Sequence, residues 1–435
     1  MDGPCVGRSS GRSQGWAPAN LLQMIATPRV CQFSLAAHDK GYCAVRPVEA
    51  ASDNLTSTLT WLDFSDAERR RALQVVELFA LHETRDELGL GAIRDALSNG
   101  MFPGVSTIQR RARYFLFVPW LFAAAEHSSD PLPRTRVAEL ALAQVLAAGS
   151  DDDGVIGVRA GKNLKQLPSM IYWSGLERWG IRRRRGTREQ WARSERAMDT
   201  DDVGERIGPI GWWHDNLVSP PPDFPAVASL ALTPEEAEYL SERITTTCPG
   251  TLLAWLISRR RSWTPTTFVW QLPFIAELPS ELGRVVDHAQ RFSEVMSGAA
   301  LLYNLMLAEA TDDEDLRVQY TAALAEWRAF DWSDWDVSDF WTLTSQLASR
   351  HDPSAHVFVN DWITEASRQD PLTSDDLRRL VRKREHEVKR RYARLSYEAA
   401  RDTWRGAAGV GQLAFRWGSA QRQILDILNP EAVEG

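Results

Sequence analysis

Apolar side chains recur at the spacing of an α-helix along most of the chain after residue 57. The first such pattern follows Ser65-Asp66-Ala67-Glu68, which has the form of a helix capping box, and predicts a helix from Asp66 to about Leu81. Comparable patterns predict helices at Gly91–Ser98, Thr107–Phe117 after a Ser106 cap, Thr135–Ala148, Ser169–Trp179, after Thr187, after Thr233, and at Ser280–Glu309, Asp312–Arg328 and Ser374–Trp404. The pattern therefore indicates a multi-helical protein of the mainly α class.

Two of these helices carry specific end signals. After the helix at 169–179, Gly180 in the left-handed conformation would bring Leu176 and Ile181 together in a Schellman motif. At 233–236, Thr-Pro-Glu-Glu combines an N-cap residue, a proline at the first helical position and an acid at the third. Short runs at Thr267–Leu272 and Gln412–Trp417 could form strands, but they are too few for a large sheet.

Composition along the chain predicts its division into regions. Residues 1–57 are rich in Gly, Ser, Pro and Ala and lack an apolar period, which predicts a disordered extension. We expect a helical N-terminal domain at 58–207, a linker or loop at the Pro- and Gly-rich stretch 208–226, and a helical C-terminal domain at 227–430. Between residues 135 and 185 the order helix, short helix, capped helix and basic turn resembles a winged-helix or helix-turn-helix protein.

The overall composition is that of an ordinary globular protein with one outlier. The 435 residues are 44% hydrophobic and 25% charged, with a formal net charge of −8. The 18 Trp exceed ordinary usage and are expected mainly in the core. Because no apolar run approaches the roughly 20 residues that span a bilayer, and the four Cys form neither a disulfide framework nor a zinc pattern, we expect a cytoplasmic protein without membrane attachment.

The sign of the charge reverses in a basic segment. Between Lys162 and Arg196 ten basic residues stand against three acidic ones, a local charge of +7. Such clusters bind the phosphates of nucleic acids; since almost all basic residues of this chain are Arg, a solvated charge patch is the alternative. A second basic site lies at 110–113, on what would be a cationic helix face. The candidate nucleic-acid-binding residues are Arg178, Arg182, Arg183, Arg184, Arg185, Arg188, Arg110 and Arg113.

The helix at 169–179 offers little for reading bases. Ser174 and Arg178 are its plausible donors, whereas its aromatic face at Tyr172, Trp173 and Trp179 is expected to be buried. Binding of DNA by this segment would therefore depend on phosphates more than on sequence.

Acidic clusters and glycines supply the other candidate chemistry. Asp151-Asp152-Asp153 follows a predicted helix end, and the acids at 312–315 lie at a helix start, so both are expected to be structural. The segment Asp331 to Asp339 interleaves acids with Trp; it is either an N-cap region anchored by its Trp or the first suspect for a metal site.

Two other features could bind a small ligand. Gly89 and Gly91 could present backbone N–H groups to an anion or form a tight turn. His214 is the one His in a pocket-like setting. No nucleotide-binding or nucleophile motif is found, so no cofactor is predicted.

Several segments are similar to a known bacterial family. They are 59–65 (LTWLDFS), 83–89 (ETRDELG), 93–95 (IRD), 102–104 (FPG), 106–109 (STIQ), 113–120 (RYFLFVPW), 167–169 (LPS), 171–173 (IYW) and 179–180 (WG). The chain resembles the family named domain of unknown function 6361 from about Thr58 to its C-terminus. The resemblance brings no catalytic residues; it implies an association with bacterial mobile or anti-phage defence loci that encode helicases and nucleases.

Together these observations predict an accessory, nucleic-acid-associated protein of a bacterial anti-phage defence or DNA-processing system. Its expected partners are DNA, through phosphate contacts, and helicase or nuclease proteins of the same locus. A metal-dependent hydrolase or nuclease with an unrecognised acidic site, and a protein-interaction scaffold, are the alternatives.

Overall fold

The computed structural model describes residues 86–149, 154–157, 164–198, 211–348 and 352–431, without the side chains of 194–198. The predicted extension at 1–57, the predicted helix at Asp66–Leu81 and the acids at 151–153 lie outside these ranges. The described helices are α1 Gly91–Met101, α2 Tyr114–Ala125, α3 Pro131–Gly149, α4 Pro168–Arg178, α5 Arg188–Met198, α6 Pro234–Thr247, α7 Leu252–Ser258, α8 Ser280–Ala310, α9 Glu314–Trp327, α10 Val337–Leu347, α11 Pro353–Ala366, α12 Asp375–Lys389, α13 Glu398–Arg401 and α14 Trp417–Leu428, with 3-10 turns at Val269–Gln271, Ile275–Glu277 and Arg390–Tyr392.

The mainly α class is confirmed. In the described ranges the only strand-like pairing is an isolated antiparallel bridge between Arg182 and Trp213. The strand option at 267–272 is wrong because the Gln271 side chain accepts hydrogen bonds from the N–H groups of Thr267 and Phe268, both at 3.1 Å, and closes a tight turn. None of the helices in this part of the chain is long and apolar enough to cross a bilayer. The winged-helix or helix-turn-helix detail stays a prediction, since parts of 58–163 are not described.

Helix ends that the sequence marks locally are confirmed. Gly180 has φ +65°, and the N–H groups of Gly180 and Ile181 donate to the carbonyls of Glu177 (3.0 Å) and Leu176 (2.9 Å), which is the Schellman pattern. At the start of α6, Thr233 Oγ1 accepts from the N–H of Glu236 (3.2 Å), whose carboxylate accepts from the N–H of Thr233 (3.0 Å). Both signals depend only on residues close in sequence, and both helices lie where they were predicted.

Two predicted helix bounds are wrong. The helix predicted at Thr107–Phe117 begins only at Tyr114 and continues through Pro119 to Ala125. Before it, Gln109 holds a turn: its side chain accepts from the N–H of Ser106 (3.1 Å) and donates to the carbonyl of Gly104 (3.1 Å). The helix predicted at 374–404 is interrupted after α12, where residue 390 has φ +54°.

The buried core crosses the predicted linker at 208–226. Helix α2 is apolar on all sides and packs against α3 and α4, while the long helix α8 packs against α1, α9, α11 and α12. Helix α14 packs against α6 and α7. All described residues belong to one compact unit, and most of their buried apolar side chains form one hydrophobic cluster. Trp contributes to this core as expected, with Trp179, Trp191, Trp362 and Trp417 among the largest fully buried side chains.

Candidate functional site

Two of the eight candidate arginines are buried, which corrects their predicted place on a cationic surface. Arg113 is 6% exposed: its guanidinium donates to Glu236 Oε1 (2.7 Å) and to the carbonyl (3.0 Å) and hydroxyl (2.9 Å) oxygens of Ser229. Arg182 is 2% exposed; it pairs with Glu177, and its guanidinium lies 4.8 Å from the ring centre of Trp173. Both side chains therefore stabilise the fold and are not presented to a ligand in solvent.

The other candidates reach the surface to different degrees. Arg185 is exposed and lies 3.7 Å from Glu177, and Arg183 pairs with exposed Asp215. Arg184 stacks over Trp212 at 5.0 Å. Arg188 donates to Ser169 Oγ at 3.1 Å. Arg110 and Arg178 are exposed and make no ion pair with a described residue.

Arg178 lies in a cleft that also contains Ser174, the other donor predicted on α4. The cleft has a volume of about 670 Å³. Its walls are α1, the loop at 103–107, the outward face of α4, and the turn before α14. Three arginines from distant parts of the sequence line it: Arg94 from α1, Arg178 from α4 and Arg416 from the turn.

Positive charge exceeds negative charge in this lining. Asp95, the one acidic residue among the described lining residues, lies between two guanidinium groups, 3.4 Å from Arg94 and 3.1 Å from Arg416. Arg178 adds a third guanidinium. Because arginine binds phosphate and carboxylate oxygens through paired N–H donors, this set favours an anionic ligand.

The turn before α14 has an unfavourable backbone conformation at two consecutive positions. Phe415 and Arg416 have φ values of +50° and +67°, in the left-handed region that costs a non-glycine residue roughly 1–2 kcal/mol. The turn is held by the buried Phe415 ring and by Arg416, which donates to Asn99 Oδ1 (2.7 Å) and to the carbonyl of Val105 (2.9 Å). Strained backbone of this kind concentrates at functional sites, and here it places Arg416 in the cleft.

The loop at 103–107 fits closely against α4. Trp179 Nε1 donates to the carbonyl of Pro103 at 2.9 Å, and a Cβ on Gly175 would come within 2.6 Å of the Gly104 oxygen. Gly104 itself has φ +85°, and a Cβ there would lie 2.6 Å from Trp179 Nε1. Both the backbone conformation and the available space therefore require glycine at position 104.

We expect Gly104→Ala to lower the free energy of unfolding by about 1–3 kcal/mol, because the new methyl group is strained and clashes with Trp179. Gly283→Ala is the matched control, since a Cβ in that turn of α8 meets no atom within 4 Å; it should leave stability unchanged or raise it by up to about 1 kcal/mol. Urea unfolding measures both, and equal stability of the two variants would refute the packing argument.

The segment Asp331 to Asp339 is an N-cap region. Asp336 accepts from the N–H of Asp339 (2.9 Å) at the start of α10, and Asp334 pairs with Arg291. Asp339 lies 2.6 Å from Arg284 and 2.8 Å from His288, and hydrogen bonds from these two side chains hold its pKa below the usual range. Trp335 is buried and donates to His288 Nδ1 at 3.0 Å. Among the described residues no three His, Cys, Asp or Glu side chains are grouped to hold a metal ion.

The predicted anion site at Gly89 and Gly91 and the predicted pocket residue His214 both have partners within the chain. The N–H of Leu90, between Gly89 and Gly91, donates to the Asp86 carboxylate at 2.6 Å, so this helix start is occupied by a side chain of the protein. His214 Nε2 lies 2.8 Å from Arg243 Nη1. Burial, followed by the charge of Arg243, lowers the pKa of His214, which suits a neutral ring that accepts from the arginine.

The protein is thus an α-helical chain with an arginine-lined cleft, and its sequence places it in a family. It belongs to a family of unknown function, DUF6361, whose profile matches residues 56–430. No curated protein and no solved structure matches the chain. Arg94 and Asp95, which belong to one of the segments by which the sequence resembles this family, form the α1 side of the cleft together with Asn99.

Proposed function

We propose that this protein is a nucleic-acid-associated accessory protein that holds phosphate groups in the arginine-lined cleft. The observation that carries the proposal is the convergence of Arg94, Arg178 and Arg416, which are far apart in sequence, around a concave space to which the described residues contribute one carboxylate. Phosphate contacts supply much of the affinity of proteins for nucleic acids, and arginine is the residue best suited to make them.

Neutral donors and the surrounding surface favour the same ligand. Ser106 Oγ is buried at the cleft without a hydrogen-bond partner among the described residues, and Ser174 is an exposed hydroxyl on α4. The exposed side chains of Arg183 and Arg185 follow the C-terminal end of the same helix. They add exposed guanidinium groups beyond α4 that a nucleic-acid backbone could contact.

Recognition of base sequence is not part of the proposal. The aromatic side of α4 is buried, with Tyr172, Leu176 and Trp179 each 0% exposed. The outward side presents Met170, Ser174 and Arg178, which offer one cation and one hydroxyl. We therefore propose binding that tolerates sequence, in an accessory role beside the helicases or nucleases of a defence or DNA-processing locus.

Direct binding measurements test the proposal. A fluorescent 20-nucleotide strand with phosphates at both ends, and its duplex, are titrated with the protein at 50 mM and 200 mM salt. We expect binding that weakens with salt and that Arg178→Ser weakens about tenfold, the effect of one lost charge-assisted contact. Arg379→Ser is the control because it removes the same charge from an exposed position on α12, outside the cleft. Absence of binding by the parent protein at 50 mM salt, or equal affinities of the two variants, would overturn the proposal.

A further inference from the structure

We infer that the cleft takes the end of a nucleic-acid single strand that carries a terminal phosphate monoester. This inference rests on the proposed function and narrows its ligand from polyanions in general to one kind of chemical group.

The shape of the cleft favours a strand end over a duplex. Its volume of about 670 Å³ falls within the roughly 300–1,000 Å³ typical of sites that enclose a small ligand. A duplex carries its phosphates on the outside of a rod and is bound by extended surfaces. A terminal nucleotide of a single strand can enter a concave site and bring its phosphate to the arginines.

The charge of the lining favours a monoester. Three guanidinium groups and the Asp95 carboxylate line the cleft. A phosphate monoester carries about −1.5 to −2 at pH 7, whereas an internal diester carries a single negative charge. The monoester also offers three strong acceptor oxygens, and the guanidinium of Arg178 and the hydroxyl of Ser174, both on exposed lining residues, are suited to donate to them.

The remaining lining suits a nucleotide more than inorganic phosphate alone. Pro103, Val105 and Phe415 add apolar surface beside the arginines. Small-ligand sites combine such apolar walls with a few polar groups that fix orientation. The apolar part of this cleft would contact the sugar or base that bears the phosphate.

The test compares strands that differ only in their ends. One internally labelled 20-nucleotide strand is prepared with a 5′ phosphate, with a 3′ phosphate, without either, and as a closed circle. We expect one phosphorylated form to bind about tenfold tighter than the unphosphorylated and circular forms. Arg178→Ser should reduce its affinity to that of the unphosphorylated strand, while Arg379→Ser keeps the preference.

Each other outcome has a defined meaning. Equal affinity of all four strands, or binding of the duplex alone, overturns the inference and leaves the proposed function standing, whereas absence of binding by the strands and by the duplex overturns both. A nucleoside monophosphate is added as competitor. Its displacement of the phosphorylated strand at millimolar concentration supports recognition of the phosphate end, and binding of the mononucleotide without binding of any strand overturns the assignment to strand ends.

Discussion

Replacing Arg113 with methionine is expected to lower the free energy of unfolding by about 3–5 kcal/mol, the typical cost of breaking a buried ion pair by removing one partner. The variant leaves the Glu236 carboxylate, 3% exposed, without its cation. It also removes the donor to the carbonyl and hydroxyl oxygens of Ser229. Methionine replaces most of the apolar length of the arginine side chain. The loss of unfolding free energy therefore measures the removed charge and hydrogen bonds more than the removed volume. Urea unfolding at pH 7 measures the effect.

Arg110→Met is the matched control for this prediction. Arg110 lies three residues earlier and was predicted on the same cationic face, but its side chain is exposed and makes no ion pair with a described residue. Its replacement should change the free energy of unfolding by no more than about 0.5 kcal/mol. Equal stability of the two variants would show that the buried pair of Arg113 and Glu236 does not contribute several kcal/mol to the free energy of unfolding.

A second large effect is expected from the pH dependence of stability at Glu139. This side chain is 1% exposed on α3, where it accepts from the N–H (2.6 Å) and hydroxyl (3.0 Å) of Ser169 at the start of α4. Burial raises the pKa of Glu139 from 4.5 to about 7, in spite of these hydrogen bonds. The folded state therefore favours the protonated carboxyl. The stability that the protonated Glu139 carboxyl contributes to the folded state is fully present below pH 4.5. It is lost as the pH rises to about 7.

Glu139→Gln removes this titration because the amide is neutral at every pH. The variant should gain about 2–3 kcal/mol in unfolding free energy, relative to the parent protein, between pH 5 and pH 8. Denaturant unfolding at the two pH values measures the change. Glu326→Gln, at an exposed position on α9, should give the pH profile of the parent. A profile of Glu139→Gln parallel to that of the parent would show that the buried carboxyl does not titrate in this range.

The parts of the fold that the sequence predicted are those that neighbouring residues determine. The Schellman motif at Gly180 and the capping box at Thr233 need only residues within a few positions, and both are confirmed. The start of α2 was wrong because Gln109 accepts from Gln423, 314 positions away, at 3.1 Å and belongs to a tertiary contact. The burial of Arg113 could not be predicted from neighbouring residues either, because its partner Glu236 lies 123 positions further along the chain.

The sequence predicted only the part of the candidate site that lies on one helix. Ser174 and Arg178 were identified as donors because they lie on the polar side of one helix, four residues apart. The contributions of Arg94, Asp95 and Arg416 depend on the packing of segments that are 321 positions apart in the chain. The left-handed residues at 415 and 416 are neither Gly nor Asn, so no local signal marked the turn that brings Arg416 into the cleft.

The distance in sequence between the walls of the cleft has a consequence for biosynthesis. Helix α1 and the loop at 103–107 leave the ribosome first, whereas Phe415 and Arg416 are translated more than 300 residues later. At roughly 5–20 residues per second this interval lasts on the order of 15–60 s. During that time the nascent chain has only part of the cleft, and it acquires the complete set of arginines when the turn before α14 docks. Newly made chains would thus become competent for the ligand only after the turn before α14 has been translated.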